Sequence, residues 1–389
     1  MLCADKMLEK ILLAPYYLTL KVRHALYDKG IRKVYSPDVP TVCVGNITAG
    51  GTGKTPHTEM ILRTLLRSDD WGMREIAVLS RGHRRRSKGF QQVDRQGTAD
   101  FCGDEPLQIK KKFPGVTVAV DRDRVEGCRF LTDPEALRTS KKARKCRNRE
   151  LRAADVIVLD DAFQYRALKA DFNIVLIDWN RPIYKDRLLP FGRLRDLPER
   201  LREADVVIVT KCPVYLEDWE RIDWLKPLGI RNFNTETCEG EHRRGKKMTV
   251  LFTSINYCPL TPVYPESGNS RYIYSKMAVL FSGIARDTPL RRYLSDRYRI
   301  VRRFAFSDHH RYSTADVRRI AAAAKADPTA VVVTTEKDAQ RIRDNKKVPE
   351  NLRERMFQVP IEVSFLSARE KEVFEDRMLT ALRAPRSAR

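Results

Sequence analysis

The stretch Thr41-Val-Cys-Val-Gly-Asn-Ile-Thr-Ala-Gly-Gly-Thr-Gly-Lys-Thr55 decides how this chain is read. An apolar run, 41–44, enters a glycine-rich turn that closes with Gly53, Lys54 and Thr55. The amphipathic run 59–66 follows. Strand, glycine loop and helix in that order are the grammar of a phosphate-binding loop. Glycines let backbone N–H groups converge on phosphate oxygens. The helix start adds unpaired N–H groups and the positive end of its dipole. Thr48, Ala49, Gly50, Gly51, Thr52, Gly53, Lys54 and Thr55 therefore form the candidate nucleotide site. Lys54 is expected to reach the terminal phosphates and the Thr55 hydroxyl to ligate Mg²⁺. The usual pattern has a glycine where this chain has Thr48, and Gly50 and Gly51 are extra. An ordinary strand-to-helix turn is the competing reading of so short a match.

Working outward, apolar strand-like runs recur at 76–79, 116–120, 156–159, 174–177 and 206–209, most of them separated by helix-compatible segments. Strands that are apolar throughout and alternate with helices indicate a parallel sheet covered on both faces. In such sheets ligands bind beyond the carboxyl ends of the strands. The polar motifs stand there: Gly45-Asn46, Ser80-Arg81-Gly82, Asp121-Arg122-Asp123-Arg124, Asp160-Asp161, Asp178 and Thr210-Lys211. Between 235 and 275 Gly, Pro, Ser, Tyr and charges mix, as in a connector with a β-ribbon. A second set of runs follows at 278–281, 298–306, 330–334 and 357–365. The expected fold class is α/β, with a P-loop-type, mostly parallel sheet domain and a second, smaller α/β domain. The expected division is an amphipathic helix over 1–25, a P-loop domain over 26–235, a linker over 236–275, and a second domain over 276–389 closing over the site.

A chain of 389 residues with 42% apolar content is globular and long enough for two cores. The net charge of +23 points to an acidic partner: nucleic acid, an anionic membrane surface or a phosphorylated substrate. The stretch 132–150 holds many Lys and Arg and is read as a solvated basic insertion. Eight cysteines are scattered without a CxxC pair, which suits reduced, structural thiols and argues against a zinc site. The N-terminal apolar segment is interrupted by Pro15, lacks a cleavage site and is too short and mixed to span a bilayer. Two readings stand for it: an interfacial amphipathic helix, or a helix packed on the domain core.

Asp160 and Asp161 close an apolar strand, the position from which a P-loop fold holds Mg²⁺. Gly103-Asp104-Glu105-Pro106 opens a helix. Its acids either complement the helix dipole or handle a proton. His309 is either an exposed loop residue or a group orienting or accepting a proton near a phosphate. Arg81, Arg122 and Arg124 are candidate cations for developing phosphoryl charge, with structural ion pairing the other reading.

Together these motifs become specific. Val44 to Pro56 resembles the signature loop of the tetraacyldisaccharide 4′-kinase family, which carries Thr48 in place of the first glycine. Ser80-Arg81-Gly82, Gly103-Asp104-Glu105-Pro106, Asp121 to Arg124, Asp160-Asp161, Arg187-Leu188-Leu189-Pro190, Leu194-Arg195, Phe281-Ser282-Gly283-Ile284, Asp308-His309-His310 and Thr334 to Asp338 follow in the family's order, over about residues 5–365. The resemblance implies transfer of the γ-phosphate of ATP to the 4′-hydroxyl of a tetraacylated glucosamine disaccharide 1-phosphate, forming lipid IVA for lipopolysaccharide. It implies Mg²⁺ and a monotopic protein on the cytoplasmic face of a bacterial inner membrane. The partners would be the lipid A precursor and the anionic leaflet, with no nucleic acid and no obligate protein partner. It assigns Lys54 to the β/γ-phosphates, Thr55, Asp160 and Asp161 to the metal, and Asp161 also to the catalytic centre. Asp104 matches the family's catalytic aspartate and His309 its histidine, and Asp104 is expected to accept the 4′-hydroxyl proton, with His309 orienting or sharing it. Arg81, Glu105, Arg122, Arg124 and Arg195 are implied substrate contacts. The chain departs from the family pattern at His83, at Ala162 and Tyr165, and at Leu189-Pro190-Phe191-Gly192. A basic P-loop ATPase acting on nucleic acid through 138–149 is the alternative.

Overall fold

The computed structural model describes residues 2–243 and 245–384, with side chains from residue 12 onward. The apolar run of the nucleotide motif forms the strand Thr41–Asn46, buried at every residue. It lies between Val156–Asp160 and Phe172–Asp178, both parallel to it. The parallel order continues through Ile76–Ser80 to Thr117–Val120 on one flank. On the other it runs through Val206–Thr210 to Lys247–Tyr257. Short antiparallel strands finish both edges of this eleven-stranded sheet.

These strands are apolar along their length because cores cover both faces. On one face Ile61, Leu62 and Leu65 of the helix Lys54–Arg67 meet Val42, Val44 and Val158. On the other, Cys43, Leu159 and Ile177 meet Leu131, Phe163 and Leu201. Each fully buried Leu or Ile contributes about 1.5–3 kcal/mol.

The second sheet has five strands, in the order Thr261–Pro262, Met356–Val359, Val331–Thr335, Met277–Ser282 and Arg299–Ala305. Helices Thr314–Ala326 and Glu336–Arg343 share a core with one face of it. Leu290 and Leu294 of Thr288–Ser295 cover the other.

The structure divides the chain differently from the sequence reading at the connector. Lys247–Tyr257 pairs first with Val206–Thr210 of the large sheet, then antiparallel with Ile361–Phe365. The ribbon is therefore built from one strand leaving the first domain and one returning to it. The helix Ala368–Arg383, expected in the second domain, packs Val373, Phe374, Met378 and Leu382 into the core of the first. The apolar run 357–365 is two strands, Met356–Val359 and Ile361–Phe365, in different sheets. Pro360 separates them; it has no N–H to carry a ladder on.

The domains are docked. Lys112 Nζ lies 2.8 Å from Glu59 Oε2 and 2.6 Å from Glu336 Oε1. Asp344 accepts the N–H groups of Ala99 and Asp100, and Arg311 pairs with Asp100 at 2.9 Å. The basic stretch is anchored by Leu137, Ala143 and Cys146 in the core, while Arg138, Lys141, Lys142, Arg144, Lys145 and Arg147 stay exposed. Six of the described cysteines are buried and Cys258 is half-buried, all as free thiols.

The N-terminal helix, Leu2–Asp28, has two faces. On one, Leu20 is buried, the Tyr16 hydroxyl donates to Arg195 O at 3.0 Å, and His24 Nε2 sits 2.7 Å from Asp196 Oδ1. On the other, Leu12, Leu18 and Val22 are exposed. Among the described residues no helix is long and apolar enough to cross a membrane.

Candidate active site

The glycine loop is a braced turn. Ala49 N–H donates to Arg193 O at 2.6 Å, Arg195 N–H donates to Ile47 O at 2.9 Å, and Thr48 forms a bridge with Leu194. Thr48 is thus part of an extended pairing and is buried, which suits a β-branched residue better than glycine. The left-handed turns fall later, at Gly50 (φ 107°) and Gly53 (φ 91°). A side chain there would strain the backbone, and glycine adopts these angles freely. Behind the loop, Asn46 Nδ2 donates to Thr52 Oγ1 at 2.8 Å and Thr210 Oγ1 donates to Thr52 O at 2.9 Å. Lys211 Nζ bonds Gly51 O and Asp178.

His57, which the sequence reading overlooked, braces the turn from below. Its Nδ1 donates to Gly53 O at 2.7 Å, and its Nε2 meets the Thr253 hydroxyl at 3.1 Å. Burial pushes its pKa down to about 4, so the ring is a neutral strut.

Lys54 opens the helix with Nζ 3.7 Å from Asp161 Oδ1. Arg195 Nη2 bridges Asn46 Oδ1 at 2.7 Å and Asp161 Oδ1 at 3.0 Å. The two adjacent aspartates are electrostatically unlike. Burial, then the charges of Glu105 and Asp161, push Asp160 up to about 6. Burial acts the same way on Asp161, but Lys54 and Arg195 outweigh it and hold that carboxyl below its ordinary range. Asp160 Oδ2 accepts from Ser80 at 2.9 Å, while its Oδ1 is buried without a partner.

Across the cleft, Gly103 (φ 97°) turns the chain so that Asp104 begins the helix Asp104–Lys112. Gly283 and Asp338 shape the opposite wall: Asp338 Oδ2 accepts Gly283 N–H at 3.0 Å and the Thr335 hydroxyl at 2.6 Å. His309, itself left-handed (φ 60°), places Nδ1 3.3 Å from Asp104 Oδ2. The structure therefore brings Asp104 and His309 together from different domains. His83, a departure from the family pattern, packs its ring edge-on to His309 with centroids 5.4 Å apart. Tyr165, another, donates to Asp123 Oδ1 at 3.0 Å.

Other candidates separate. Glu105 pairs with Lys337 of the second domain. Arg81 and Arg122 are exposed and make no ion pair among the described residues. Arg124 turns away from the cleft: it is buried and donates to the backbone carbonyls of Asp121, Asp160 and Asp161 at 2.5, 3.2 and 3.4 Å. A guanidinium spent on the carbonyls that shape the two-aspartate turn is a scaffold rather than a substrate contact.

Arg341 and Lys337 were also missed as site residues. Lys337 lies within the Thr334–Asp338 motif and Arg341 one helical turn beyond it on Glu336–Arg343, so the i, i+4 spacing carried the signal.

A family model for tetraacyldisaccharide-1-P 4′-kinase matches residues 6–383, nearly the whole chain. The chain belongs to the tetraacyldisaccharide-1-P 4′-kinase family. Among family members, the tetraacyldisaccharide 4′-kinase of Parabacteroides distasonis is 36% identical over 366 residues, 92% of this chain and 90% of that protein. The one from Porphyromonas gingivalis is 36% identical over 376 residues, 95% of each chain. The crystal structure of "apo" form LpxK from Aquifex aeolicus in complex with ATP superposes with a TM-score of 0.65 at 24% identity. It covers 96% of this chain and 99% of that one, so this kinase family member shares its fold.

Proposed function

We propose that this protein transfers the γ-phosphate of ATP to the 4′-hydroxyl of a tetraacylated glucosamine disaccharide 1-phosphate, giving lipid IVA. The observation that carries the reading is the family match over 6–383, joined to a cleft where Lys54, Asp160, Asp161, Asp104 and His309 converge. In it, the backbone from Thr48 to Thr55 cradles the ATP phosphates and Lys54 neutralises the terminal ones. The metal fits the residues present. Among the described residues no cluster of three His, Cys, Asp or Glu could hold a metal ion. Mg²⁺ needs no such cage, since it takes one or two protein oxygens plus phosphates and water. Thr55, Asp160 with its unpartnered Oδ1, and Asp161 would hold it. When bound, it neutralises charge on the β- and γ-phosphate oxygens.

Asp104 orients the 4′-hydroxyl and takes its proton. The hydroxyl oxygen bonds to the γ-phosphorus as the bond to the leaving oxygen breaks, and ADP departs with that electron pair. His309 steadies or shares the proton. Because phosphoryl transfer passes through a loose transition state, positioning matters more than base strength. Arg195 is placed to meet phosphate charge beside Asp161. Arg81, Arg122 and Glu105 remain candidate substrate contacts at the cleft. The second domain closes the cleft and excludes water.

Leu18 and Val22 line a surface cavity with Arg23 and Arg32, and with the exposed Leu12 they suit docking on the anionic cytoplasmic leaflet of an inner membrane. A monotopic attachment accords with the absence, among the described residues, of a membrane-spanning helix. Neither a nucleic acid nor an obligate protein partner is needed.

The test is transfer of labelled phosphate from ATP to the tetraacyl disaccharide 1-phosphate in detergent micelles. Labelled lipid is expected, with Asp104→Ala collapsing kcat by about a hundredfold or more while the KM for ATP holds. ATP hydrolysis stimulated by DNA or RNA without labelled lipid would overturn the reading, and an unchanged kcat in Asp104→Ala would remove that residue's role.

A further inference from the structure

Asp104 is an asymmetric carboxylate. Arg341 donates to its Oδ2 twice, from Nε at 3.0 Å and from Nη2. His309 Nδ1 lies 3.3 Å from the same oxygen. No hydrogen bond or ion pair among the described residues reaches Oδ1, and that atom is not sealed from solvent. Arg341 is itself buried and fixed. Nη1 donates to Asp338 Oδ1 at 3.1 Å and to Gly283 O at 3.2 Å. Asp338 is locked in turn by Thr335 and by Gly283 N–H. The guanidinium is thus bolted to the second domain and grips one oxygen of the first.

We propose that Arg341 is a positioning residue: it anchors Asp104 through Oδ2 and so leaves Oδ1 as the oxygen that takes the acceptor's proton. This rests on the kinase reading above. The hydroxyl proton passes to Oδ1 while the hydroxyl oxygen bonds phosphorus and ADP leaves. Two donors of one planar guanidinium converge on Oδ2, so they hold that oxygen in place and stabilise its charge while the other stays open. The guanidinium also gives His309 two partners. Arg341 Nη2 lies 3.0 Å from Nδ1 and can only donate, which a neutral ring with its lone pair on Nδ1 accepts. A ring protonated at Nδ1 turns the Asp104 contact into a hydrogen bond instead. The proton-accepting carboxylate and its histidine are therefore assembled only when the second domain delivers Arg341.

Arg341, Lys337 and His309 face Asp104 as positive or potentially positive groups, and Glu105 and Asp338 stand nearby as acids. Burial works against ionisation of Asp104, and His309, Arg341 and Lys337 together overcome it, holding the carboxyl far below its ordinary range. A group with a depressed pKa stays ionised until pH falls through that low value. Without Arg341, burial is opposed by less, and the pKa rises.

The experiment compares Arg341→Gln, Arg341→Lys and Asp104→Asn with wild type in the labelled-lipid assay. Arg341→Gln is expected to lower kcat about tenfold to a hundredfold, with the KM for ATP unchanged. The acid limb of its kcat profile should move up in pH. Arg341→Lys, with a single donor nitrogen in place of the fork and the charge kept, should recover part of kcat and return the limb toward wild type. In the Asp104→Asn background, adding Arg341→Gln should cost little more, because Arg341 acts through Asp104. Melting curves of each variant report folding, and Arg341→Lys carries the test if Arg341→Gln does not fold. An unmoved acid limb in the folded variants, or full multiplication of the two losses, overturns the proposal. Wild type that labels no lipid would instead overturn the kinase reading beneath it.

Discussion

Replacing Lys112 by Met tests the docking of the two domains. Its ammonium is the shared partner of Glu59 and Glu336, at 2.8 and 2.6 Å. Side-chain exposures are 0% for Glu59 and 5% for Glu336, against 24% for Lys112 itself. Removing one partner of a buried pair costs about 3–5 kcal/mol, because the other charge is left without compensation. Lys112 is partly solvated, so the low end applies, about 3 kcal/mol. Gln108 still donates to Glu59 Oε1 at 2.8 Å, which keeps the loss from being larger. At about 2 °C per kcal/mol for a chain of this size, the melting temperature should fall by about 6 °C.

The effect has a pH signature. Burial raises Glu336 to about 7 against the pull of Lys112, with Glu59 adding to the rise. A carboxyl whose folded pKa exceeds its unfolded value contributes stability at low pH, and that contribution is lost as pH rises through the folded pKa. Without Lys112 the Glu336 carboxyl holds its proton more tightly, so the deficit against wild type should be largest near about pH 8 and shrink toward about pH 6. Thermal melts across that range, run on both proteins, make the measurement. A Lys112→Met variant that melts with wild type near about pH 8, or whose deficit does not shrink on acidification, refutes the buried-pair account.

Thr48→Gly restores the usual loop pattern and is nevertheless expected to do harm. Glycine in an extended position costs about 0.5–1 kcal/mol and the lost buried methyl about 0.8 kcal/mol more. Melting temperature should drop and the KM for ATP should not improve; a tighter KM would contradict the strand-bridge role. Leu18→Asp with Val22→Asp should leave the melting temperature unchanged, since both residues are exposed. Loss of about 3 kcal/mol of apolar insertion should weaken cosedimentation with anionic vesicles about a hundredfold. Retained vesicle binding in the double variant removes the docking face from the account.

The strand-end motifs were readable because their chemistry is local. A glycine loop, an apolar strand ending in Asp160-Asp161, and a proline-started helix headed by Asp104 each announce themselves within a few residues. The order of these motifs along the chain was enough to point to the family. The parallel sheet was readable too, since strands buried on both faces must be apolar at every position. The resemblance accommodated Thr48, but its physical reason appears only with Leu194 beside it; nothing local reveals a partner so far along the chain.

What tertiary structure alone decided depends on contacts between segments far apart in the chain. Arg124 and Arg195 read alike as candidate cations. The fold turns one onto backbone carbonyls and aims the other at Asp161. The helix 368–383 has the pattern of any amphipathic helix, and only the returning strand Ile361–Phe365 carries it back to the first domain. Asp104 and Arg341 meet because one begins a helix of the first domain and the other stands on the helix Glu336–Arg343 of the second. Sequence periodicity records which side of an element is buried, and local motifs record which atoms can do chemistry. Which distant atom completes a charge is set by packing, and packing is where this site acquired its anchored oxygen and its free one.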